Sequence, residues 1–389
     1  MNKQNRLSVL VVGCGAAANL HSKLLRKHGS VKLSFASRDG ARSSEMCRKF
    51  DGYRAFGSYE SGIADDSIDI VLVTTPTATH FELAMQALDA GRHVIVEKPA
   101  FMSSSEADLV SAAAERAGKR VMVAENYFYK PIARYLREVI GSGELGDIRF
   151  VTIDATKRQK ATGWRADPAL SGGGALFEGG VHWISFASNL GLEVAGLEAF
   201  CTGGEPGNDR SSLVILRYSS GAVGTIAHSW ELAAPFGHVR RSRVQGTAGS
   251  VTFESNGLLR FTSGRRMSLA FPVLHDALGY RGMLADFLDA IREDREPQFT
   301  LALARRDLVF LEEAARSMRR DNVRPVRGSH TYSSDLSASY RDVEQNPNEE
   351  RACRSTGTRY ASRKSHAPDD NNNCGLGRDS LPRLLHPRL

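Results

Sequence analysis

Short apolar runs alternate with longer amphipathic segments over the first third of the chain. The apolar runs cover residues 7–12, 31–36, 67–74, 93–96 and 121–124. Uninterrupted runs of this length are typical of strands that are buried on both faces. Between them, apolar residues recur at helical spacing, as they do from Phe81 to Leu88. This alternation predicts an α/β fold with a doubly wound parallel sheet, in a first domain that covers residues 1–128.

After about residue 146 the pattern changes to strands without helices between them. Strand-like segments follow one another across short turns at 148–155, 213–218, 223–230, 239–245 and 250–254. Such spacing favours an antiparallel sheet. We therefore expect a second α/β domain over residues 129–320, completed by helices near 280–292 and 301–319.

The last segment, residues 321–389, has a different composition. It contains no Phe, Ile, Met or Trp and is rich in Ser, Arg and Asn. A chain that can bury so little apolar surface cannot offset its ordering entropy. We predict that this tail is disordered and has no catalytic role.

Composition and charge exclude several classes of protein. The 389 residues carry a formal charge of +7, but Lys and Arg are interspersed with acidic residues and no basic helix stands out, so no nucleic-acid partner is expected. The first apolar run is six residues long, too short for a signal or membrane segment, which favours a soluble, cytoplasmic protein. The five cysteines form no CxxC pair and indicate neither a zinc site nor a disulfide framework.

A glycine turn follows the first strand and points to a dinucleotide. Gly13 permits a tight turn, Gly15 lets a pyrophosphate approach the backbone, and the small Ala18 allows close packing of helix on strand. Ala16 and Ala17 open the following helix, whose N-terminal N–H groups favour phosphate. The pattern is that of a Rossmann nucleotide-binding domain.

The end of the second strand bears on the choice of cofactor. Ser37 and Arg38 offer a hydroxyl and a guanidinium where a ribose-recognising acid would otherwise stand. These residues favour NADP over NAD, although Asp39 lies one residue away and a solvated turn with an incidental arginine is the alternative. The next strand ends at Thr75 and Pro76, in a turn expected to touch the dinucleotide.

Lys98 stands at the end of the strand over residues 93–96, in the sequence Glu97-Lys98-Pro99. Ligands of open α/β sheets bind beyond the carboxyl ends of the strands, so Lys98 is expected at an active-site edge. Pro99 keeps Lys98 in an extended conformation. The alternative is a lysine that extends into solvent.

A second group of candidates lies in the later part of the chain. Three glycines at 172–174 precede a segment with room for a helix, in which Glu178 and His182 would share one face. A carboxylate one turn from an imidazole can orient it for general acid/base work. The alternatives are a surface pair and half of a metal site, and metal is disfavoured because no further ligand accompanies them. Trp164 and Arg165 are candidates for a substrate wall. His228, Trp230 and His238 are candidates for a pocket border, although a position in the core or at a subunit interface is favoured for each.

These motifs together resemble the Gfo/Idh/MocA family of NAD(P)-dependent oxidoreductases, over about residues 6–320. The resemblance rests on Gly13-Cys14-Gly15 with His21, Thr75-Pro76 with His80, Ala90 to Val94 leading into Glu97-Lys98-Pro99, Glu125-Asn126 with Pro131, and the segment from Gly172 to His182. It implies a Rossmann domain followed by an α/β domain with a large open, mostly antiparallel sheet. It also implies Lys98, Glu178 and His182 as the catalytic group, with Glu178 standing where Asp is usual, and His80, Glu97, Lys98 and Asn126 at the cofactor, although a structural role is favoured for His80.

The expected reaction is hydride transfer between a nicotinamide and a hydroxyl-bearing carbon of a sugar, polyol or related cyclic alcohol. His182 would exchange the hydroxyl proton, Lys98 would stabilise the oxygen, and Glu178 would orient His182 or bind a neighbouring hydroxyl. Which of Lys98 and His182 is the formal base stays open. Two alternatives are a nucleotide-binding sensor without turnover and an NAD-dependent glycosidase. A homodimer or homotetramer through the C-terminal sheet is expected.

Overall fold

The computed structural model describes residues 6–29, 31–233, 239–264, 267–271 and 276–321. Its helices are α1 (Ala16–His28), α2 (Gly40–Phe50), α3 (Tyr59–Ile63), α4 (His80–Asp89), α5 (Ser104–Ala117), α6 (Asn126–Tyr129), α7 (Pro131–Gly141), α8 (Pro168–Ser171), α9 (Val181–Ser188), α10 (Tyr280–Arg292) and α11 (Leu301–Asp321). Its strands are β1 (Leu7–Val12), β2 (Val31–Ala36), β3 (Arg54–Phe56), β4 (Ile70–Val73), β5 (His93–Val96), β6 (Val121–Val123), β7 (Ile148–Thr156), β8 (Val194–Glu205), β9 (Asn208–Tyr218), β10 (Val223–Ser229), β11 (Arg241–Gly246), β12 (Ser250–Glu254), β13 (Arg260–Ser263) and β14 (Ser268–Ala270).

The first sheet has six parallel strands in the order β3-β2-β1-β4-β5-β6. Its central strands are almost wholly buried, which is why they read as continuous apolar runs in the sequence. The strand order reverses between β1 and β4, and this switch point opens a crevice at the carboxyl ends of the strands. The expected doubly wound Rossmann-like sheet is confirmed.

The second sheet has eight strands in the order β14-β13-β12-β11-β7-β10-β9-β8. β7 runs parallel to β10, and the other neighbouring pairs are antiparallel. Helix α9 packs against β7 and β10. The mostly antiparallel sheet expected for the second part of the chain is confirmed, whereas the division into domains at residues 128 and 129 stays a prediction.

The predicted disordered tail, residues 321–389, lies outside the described residues apart from Asp321, which ends α11. In the described part of the chain, no helix has both the length and the apolar content needed to cross a membrane.

Candidate active site

Lys98 joins the carboxyl edge of the first sheet to the segment that precedes α9. Its Nζ donates a hydrogen bond to the backbone oxygen of Glu178 at 3.0 Å and lies 3.6 Å from Oε1 of the same residue. The Lys98 side chain is 16% exposed, so part of it still faces the opening. Lys98 therefore points toward Glu178 at the carboxyl edge of the first sheet and does not extend into solvent.

Glu178 lies in one wide π-helical turn, Leu176–Gly180, and its side chain is buried. Nε of Arg165 donates to Oε1 of Glu178 at 2.9 Å. Burial on its own would raise the pKa of Glu178, but the charges of Lys98 and Arg165 and this hydrogen bond outweigh it and lower the pKa. Glu178 is consequently held as a carboxylate between two cations.

His182 lies in the first turn of α9 with its ring almost buried. Its Nδ1 is 2.8 Å from Oε1 and 2.9 Å from Oε2 of Glu125, which directly follows Ala124 at the end of the β6 segment. This contact fixes the tautomer, because Nδ1 must carry the proton that Glu125 accepts. Burial lowers the pKa of His182 and the Glu125 carboxylate opposes that shift. A neutral ring with a lone pair on Nε2 can accept a proton.

The expected role of Glu178 in orienting His182 is wrong, since Glu125 makes that contact. The expectation assumed a regular α-helix, in which residues four apart share a face. Residues Leu176–Gly180 instead form a π-helical turn, and the Glu178 carboxylate is engaged by Lys98 and Arg165. One signal could have identified Glu125: it follows the strand next to the one that delivers Lys98, and neighbouring parallel strands end at the same edge.

An aromatic ring supports His182 from behind. The ring of Tyr127 stacks on the His182 imidazole with centroids 4.3 Å apart and an angle of 12° between the planes. Nζ of the fully buried Lys130 lies 3.3 Å from the centroid of the same Tyr127 ring. The imidazole and the ammonium both lie so close to the centre of the Tyr127 ring that they would collide if they were on the same face of it. They therefore lie on opposite faces, and Tyr127 separates Lys130 from His182. Neither Tyr127 nor Lys130 was identified from the sequence.

The glycine turn has the geometry that a dinucleotide needs. Gly13 adopts φ +96°, and a Cβ there would come within 3.0 Å of Oγ1 of Thr74. A side chain at Gly15 would project into open space, where the first turn of α1 presents the N–H groups of Ala16 and Ala17. Donors at a helix N-terminus beside an open approach fit a pyrophosphate.

Beyond β2, Asp39 is engaged in the protein itself. Its Oδ1 accepts a hydrogen bond from the backbone N–H of Ala41 at 3.0 Å and caps α2. The side chain of Ser37 is nearly buried and accepts from the Asp39 N–H, whereas Arg38 is exposed. Arg38 is thus an exposed cation at this strand end, next to an acid whose Oδ1 serves as a helix cap.

Other predicted cofactor residues support the backbone around the crevice. Both ring nitrogens of the buried His80 contact backbone oxygens, Nε2 that of Thr75 at 2.8 Å and Nδ1 that of Pro99 at 3.0 Å. His80 therefore ties the Thr75-Pro76 turn to the segment after Lys98 and has a structural position. Nδ2 of Asn126 donates to the backbone oxygen of Leu278 at 2.7 Å.

The Glu97 carboxylate contacts the backbone N–H of Lys98 and the first helix. Its Oε1 lies 2.5 Å from Nε2 of His21, a buried residue of α1. Trp164 lies beside Arg165, whose guanidinium carbon is 4.4 Å from the Trp164 ring. The described ranges hold no cluster of three or more His, Cys, Asp or Glu side chains that could bind a metal ion.

Two family models match successive parts of the chain. Residues 7–125 match the model of an oxidoreductase family with an NAD-binding Rossmann fold, and residues 133–252 match the GFO/IDH/MocA C-terminal domain. Among curated proteins, D-xylose 1-dehydrogenase (NADP(+)) 2 of Haloferax volcanii is 32% identical over 240 residues, which cover 61% of this chain and 71% of that protein. Trans-1,2-dihydrobenzene-1,2-diol dehydrogenase of Bos taurus is 30% identical over 213 residues, which cover 53% of this chain and 62% of that protein.

Some curated relatives match over a smaller share of their length. The uncharacterized oxidoreductase YfiI of Bacillus subtilis is 30% identical over 52% of this chain, and the match spans 56% of that protein. The match to the uncharacterized oxidoreductase sll0816 of Synechocystis spans 57% of its length. The chain thus covers little more than half of these two relatives.

Solved structures match over most of the described fold. Aldose-aldose oxidoreductase from Caulobacter crescentus, complexed with glycerol, has a TM-score of 0.74 at 21% identity, and the match covers 81% of this chain and 98% of that one. GenD2 from gentamicin A biosynthesis, in complex with NAD, has a TM-score of 0.71 at 25% identity, and the match covers 82% of this chain and 96% of that one.

Proposed function

The chain belongs to the GFO/IDH/MocA family of NAD-binding oxidoreductases, and from that premise we propose that it is an NAD(P)-dependent dehydrogenase of a sugar, polyol or related cyclic alcohol. One observation carries the proposal: Lys98 and His182 come from different parts of the chain and both border Glu178 at the carboxyl edge of the nucleotide-binding sheet. The relatives named for xylose and dihydrodiol oxidation support a hydroxyl-bearing substrate.

When bound, the nicotinamide supplies the acceptor or donor of hydride. In the oxidation direction, Nε2 of His182 takes the hydroxyl proton while Glu125, bonded to Nδ1, stabilises the imidazolium that forms. The ammonium of Lys98 donates to the reacting oxygen and stabilises its developing negative charge. The backbone oxygen of Glu178 holds that ammonium in place.

The arrangement favours His182 as the formal base. Nζ of Lys98 faces two oxygens of Glu178, a position suited to a hydrogen-bond donor to the reacting oxygen. Glu178 is in turn held by Arg165 and is placed to bind a second hydroxyl of the substrate. Trp164 and Arg165 would form a wall on the same side.

We propose NADP as the preferred cofactor. Asp39 is occupied as the cap of α2, so Arg38 is the strand-end side chain that can reach a 2′-phosphate. The glycine turn at Gly13 and Gly15 would receive the pyrophosphate. Thr75 and Pro76, held by His80, would border the nucleotide on the opposite side of the crevice.

The outer face of the second sheet is proposed as an interface between copies of the chain. Large apolar side chains are exposed on it at Phe150 of β7, Phe261 of β13 and Leu269 of β14. Exposed apolar groups spread over one sheet are typical of a surface that is covered in an assembly. A homodimer or homotetramer would bury them, and light scattering of Phe150→Ser beside the unchanged protein tests this.

The function is tested by following NADPH formation with purified protein across sugars, polyols and inositols, with NAD as comparator. Lys98→Met keeps the length of the side chain and removes its charge, and Lys23→Met is the matched control on the exposed side of α1. We expect turnover that Lys98→Met abolishes and Lys23→Met retains. Bound nucleotide without turnover on any substrate would contradict a dehydrogenase, and release of a sugar without net NADPH would indicate a glycosidase.

A further inference from the structure

Lys157 continues the inner face of the second sheet toward the candidate active site. Ile153 and Ala155 of β7 are buried on that face. Lys157 comes two residues after Ala155, so the alternation of the strand directs it to the same face. Its backbone N–H donates to the backbone oxygen of Ser229 at 2.8 Å, which keeps it alongside the end of β10. Lys157 is half-buried there, neither a core residue nor a fully exposed one.

The neighbouring end of β10 contacts the turn that carries Glu178. The indole of Trp230 packs against Gly179, where a Cβ would come within 3.0 Å of the ring. The backbone N–H of Gln159 donates to the oxygen of Trp230 at 2.9 Å and carries the Lys157 segment past the same indole. The charges that act on Lys157 accordingly include those of Lys98 and Glu178.

The charges that act on Lys157 are those of two cations, Arg240 and Lys98, and one carboxylate, Glu178. Glu178 is shared by Lys98 and Arg165, whereas Lys157 makes no ion pair within the described residues. Arg240 is buried and donates from Nη2 to the neutral amide oxygen of Asn256, and its Nε has no partner among the described groups. Burial lowers the pKa of Lys157, and the charges of Arg240 and Lys98 lower it further.

A carboxylate is a group that can satisfy such an edge. Unpaired, partly buried cations are unfavourable until an anion or strong acceptors satisfy them, and ammonium–carboxylate hydrogen bonds are stronger than neutral ones. The oxidised nicotinamide would bring one more positive charge when bound, which increases the imbalance. A neutral polyol would not offset this excess of positive charge.

We propose that Lys157, backed by Arg240, binds a carboxylate of the substrate, so that the substrate is a sugar acid, such as an aldonate or uronate, and not a neutral sugar. The inference rests on the proposed function, because it assumes that the hydroxyl to be oxidised lies at Lys98 and His182. Lys157 is then a residue that determines specificity, and its ammonium contacts the end of the substrate that does not react.

The test compares matched pairs that differ in a carboxylate: D-gluconate with D-glucitol, and D-glucuronate with D-glucose. The variant is Lys157→Met, and the control is Lys160→Met, which makes the same charge change at an exposed lysine three residues away. We expect the kcat/KM of the acid, divided by that of its neutral partner, to fall by about tenfold or more in Lys157→Met and to be retained in Lys160→Met. An unchanged ratio in both variants, or no preference for acids before mutation, overturns the inference and leaves the dehydrogenase intact.

A binding measurement separates this inference from the proposed function. If none of the four compounds turns over, each is titrated into the complex with NADPH, whose fluorescence reports binding. Tighter binding of the acids that Lys157→Met removes supports the carboxylate site although the proposed function fails, and equal binding of acids and neutral compounds overturns it. D-glucose 6-phosphate is added as a further probe, and a preference for it over both acids that depends on Lys157 overturns the assignment of a carboxylate in favour of a phosphate.

Discussion

Glu125 and His182 are more than fifty residues apart in sequence and form a bidentate contact, with Nδ1 of the imidazole 2.8 Å from one carboxylate oxygen and 2.9 Å from the other. Both groups are almost entirely buried. Water therefore does not weaken the contact, and the protonation state of His182 depends on Glu125.

We predict that Glu125→Gln lowers kcat by about 100-fold, because an amide can donate to Nδ1 and select the tautomer that leaves no lone pair on Nε2. Loss of the carboxylate charge also lowers the pKa of His182, since Glu125 opposes the effect of burial. The acidic limb of kcat/KM for alcohol oxidation should move to lower pH. A pH profile beside Glu115→Gln, an exposed position on α5, checks this, and an unmoved limb at full kcat would contradict it.

A second prediction concerns Lys130, whose Nζ has no hydrogen-bond partner among the described residues. Burial lowers the pKa of Lys130 to about 7, although Glu125 opposes the shift. An unfolded lysine binds its proton up to about pH 10.5, so between pH 7 and 10.5 the unfolded chain holds more protons and stability rises with pH. Lys130 should therefore destabilise the fold most at and below pH 7.

Lys130→Met is accordingly expected to raise the free energy of unfolding by a few kcal/mol at pH 6 and by much less near pH 10. It should at the same time lower kcat, because the Tyr127 ring that stacks on His182 loses the contact on its other face. Urea titrations at the two pH values, with Lys23→Met as control, measure the first effect. A variant that is less stable at pH 6 than the unchanged protein would refute the explanation.

The third prediction addresses the cofactor. Arg38→Ala should raise the KM for NADP by at least about tenfold and change the KM for NAD much less, because only NADP carries the 2′-phosphate that a guanidinium binds. Arg48→Ala, at the exposed far end of α2, is the matched control. If both nucleotides lose affinity equally in Arg38→Ala, the arginine stacks on the adenine and does not select the phosphate.

Burial on both faces explains how much of the fold could be predicted. β1, β4 and β5 are continuous apolar runs because helices cover both sides of a parallel sheet, and such runs are visible in any sequence. β8 was missed because it lies at the edge of the second sheet, where glycines and exposed polar residues interrupt the alternation. Residues at strand ends, such as Lys98, could be found because parallel strands all end at one edge.

Glu125 also stands at a strand end, but its pairing with His182 could not be found in the same way. Glu125 and His182 belong to segments whose relative position is fixed only by tertiary packing. The sequence spacing favoured Glu178, whose carboxylate is instead held by Lys98 and Arg165. Lys130 likewise looks like an ordinary surface lysine in the sequence, since no local pattern indicates that Tyr127 and Trp183 enclose it.

The last prediction concerns acid stability and the contact between Glu97 and His21. Burial alone would raise the pKa of Glu97, but the hydrogen bond and charge of His21, followed by Lys98, lower it to about 2. Because the folded pKa lies below the ordinary value of 4.5, this carboxylate stabilises the fold above pH 4.5, and the contribution is lost as pH falls toward 2.

His21→Phe tests this contribution, because it keeps a ring beside Tyr280 and removes the hydrogen-bond partner of Glu97. We expect it to cost about 3 kcal/mol at pH 7, because the carboxylate then loses its side-chain partner and keeps the backbone N–H of Lys98, and much less at pH 3. Urea unfolding at both pH values measures the difference, and in a Glu97→Gln background the substitution should cost little at either. A loss of the same size at pH 7 and pH 3 would mean that His21 acts through packing and not through the carboxylate.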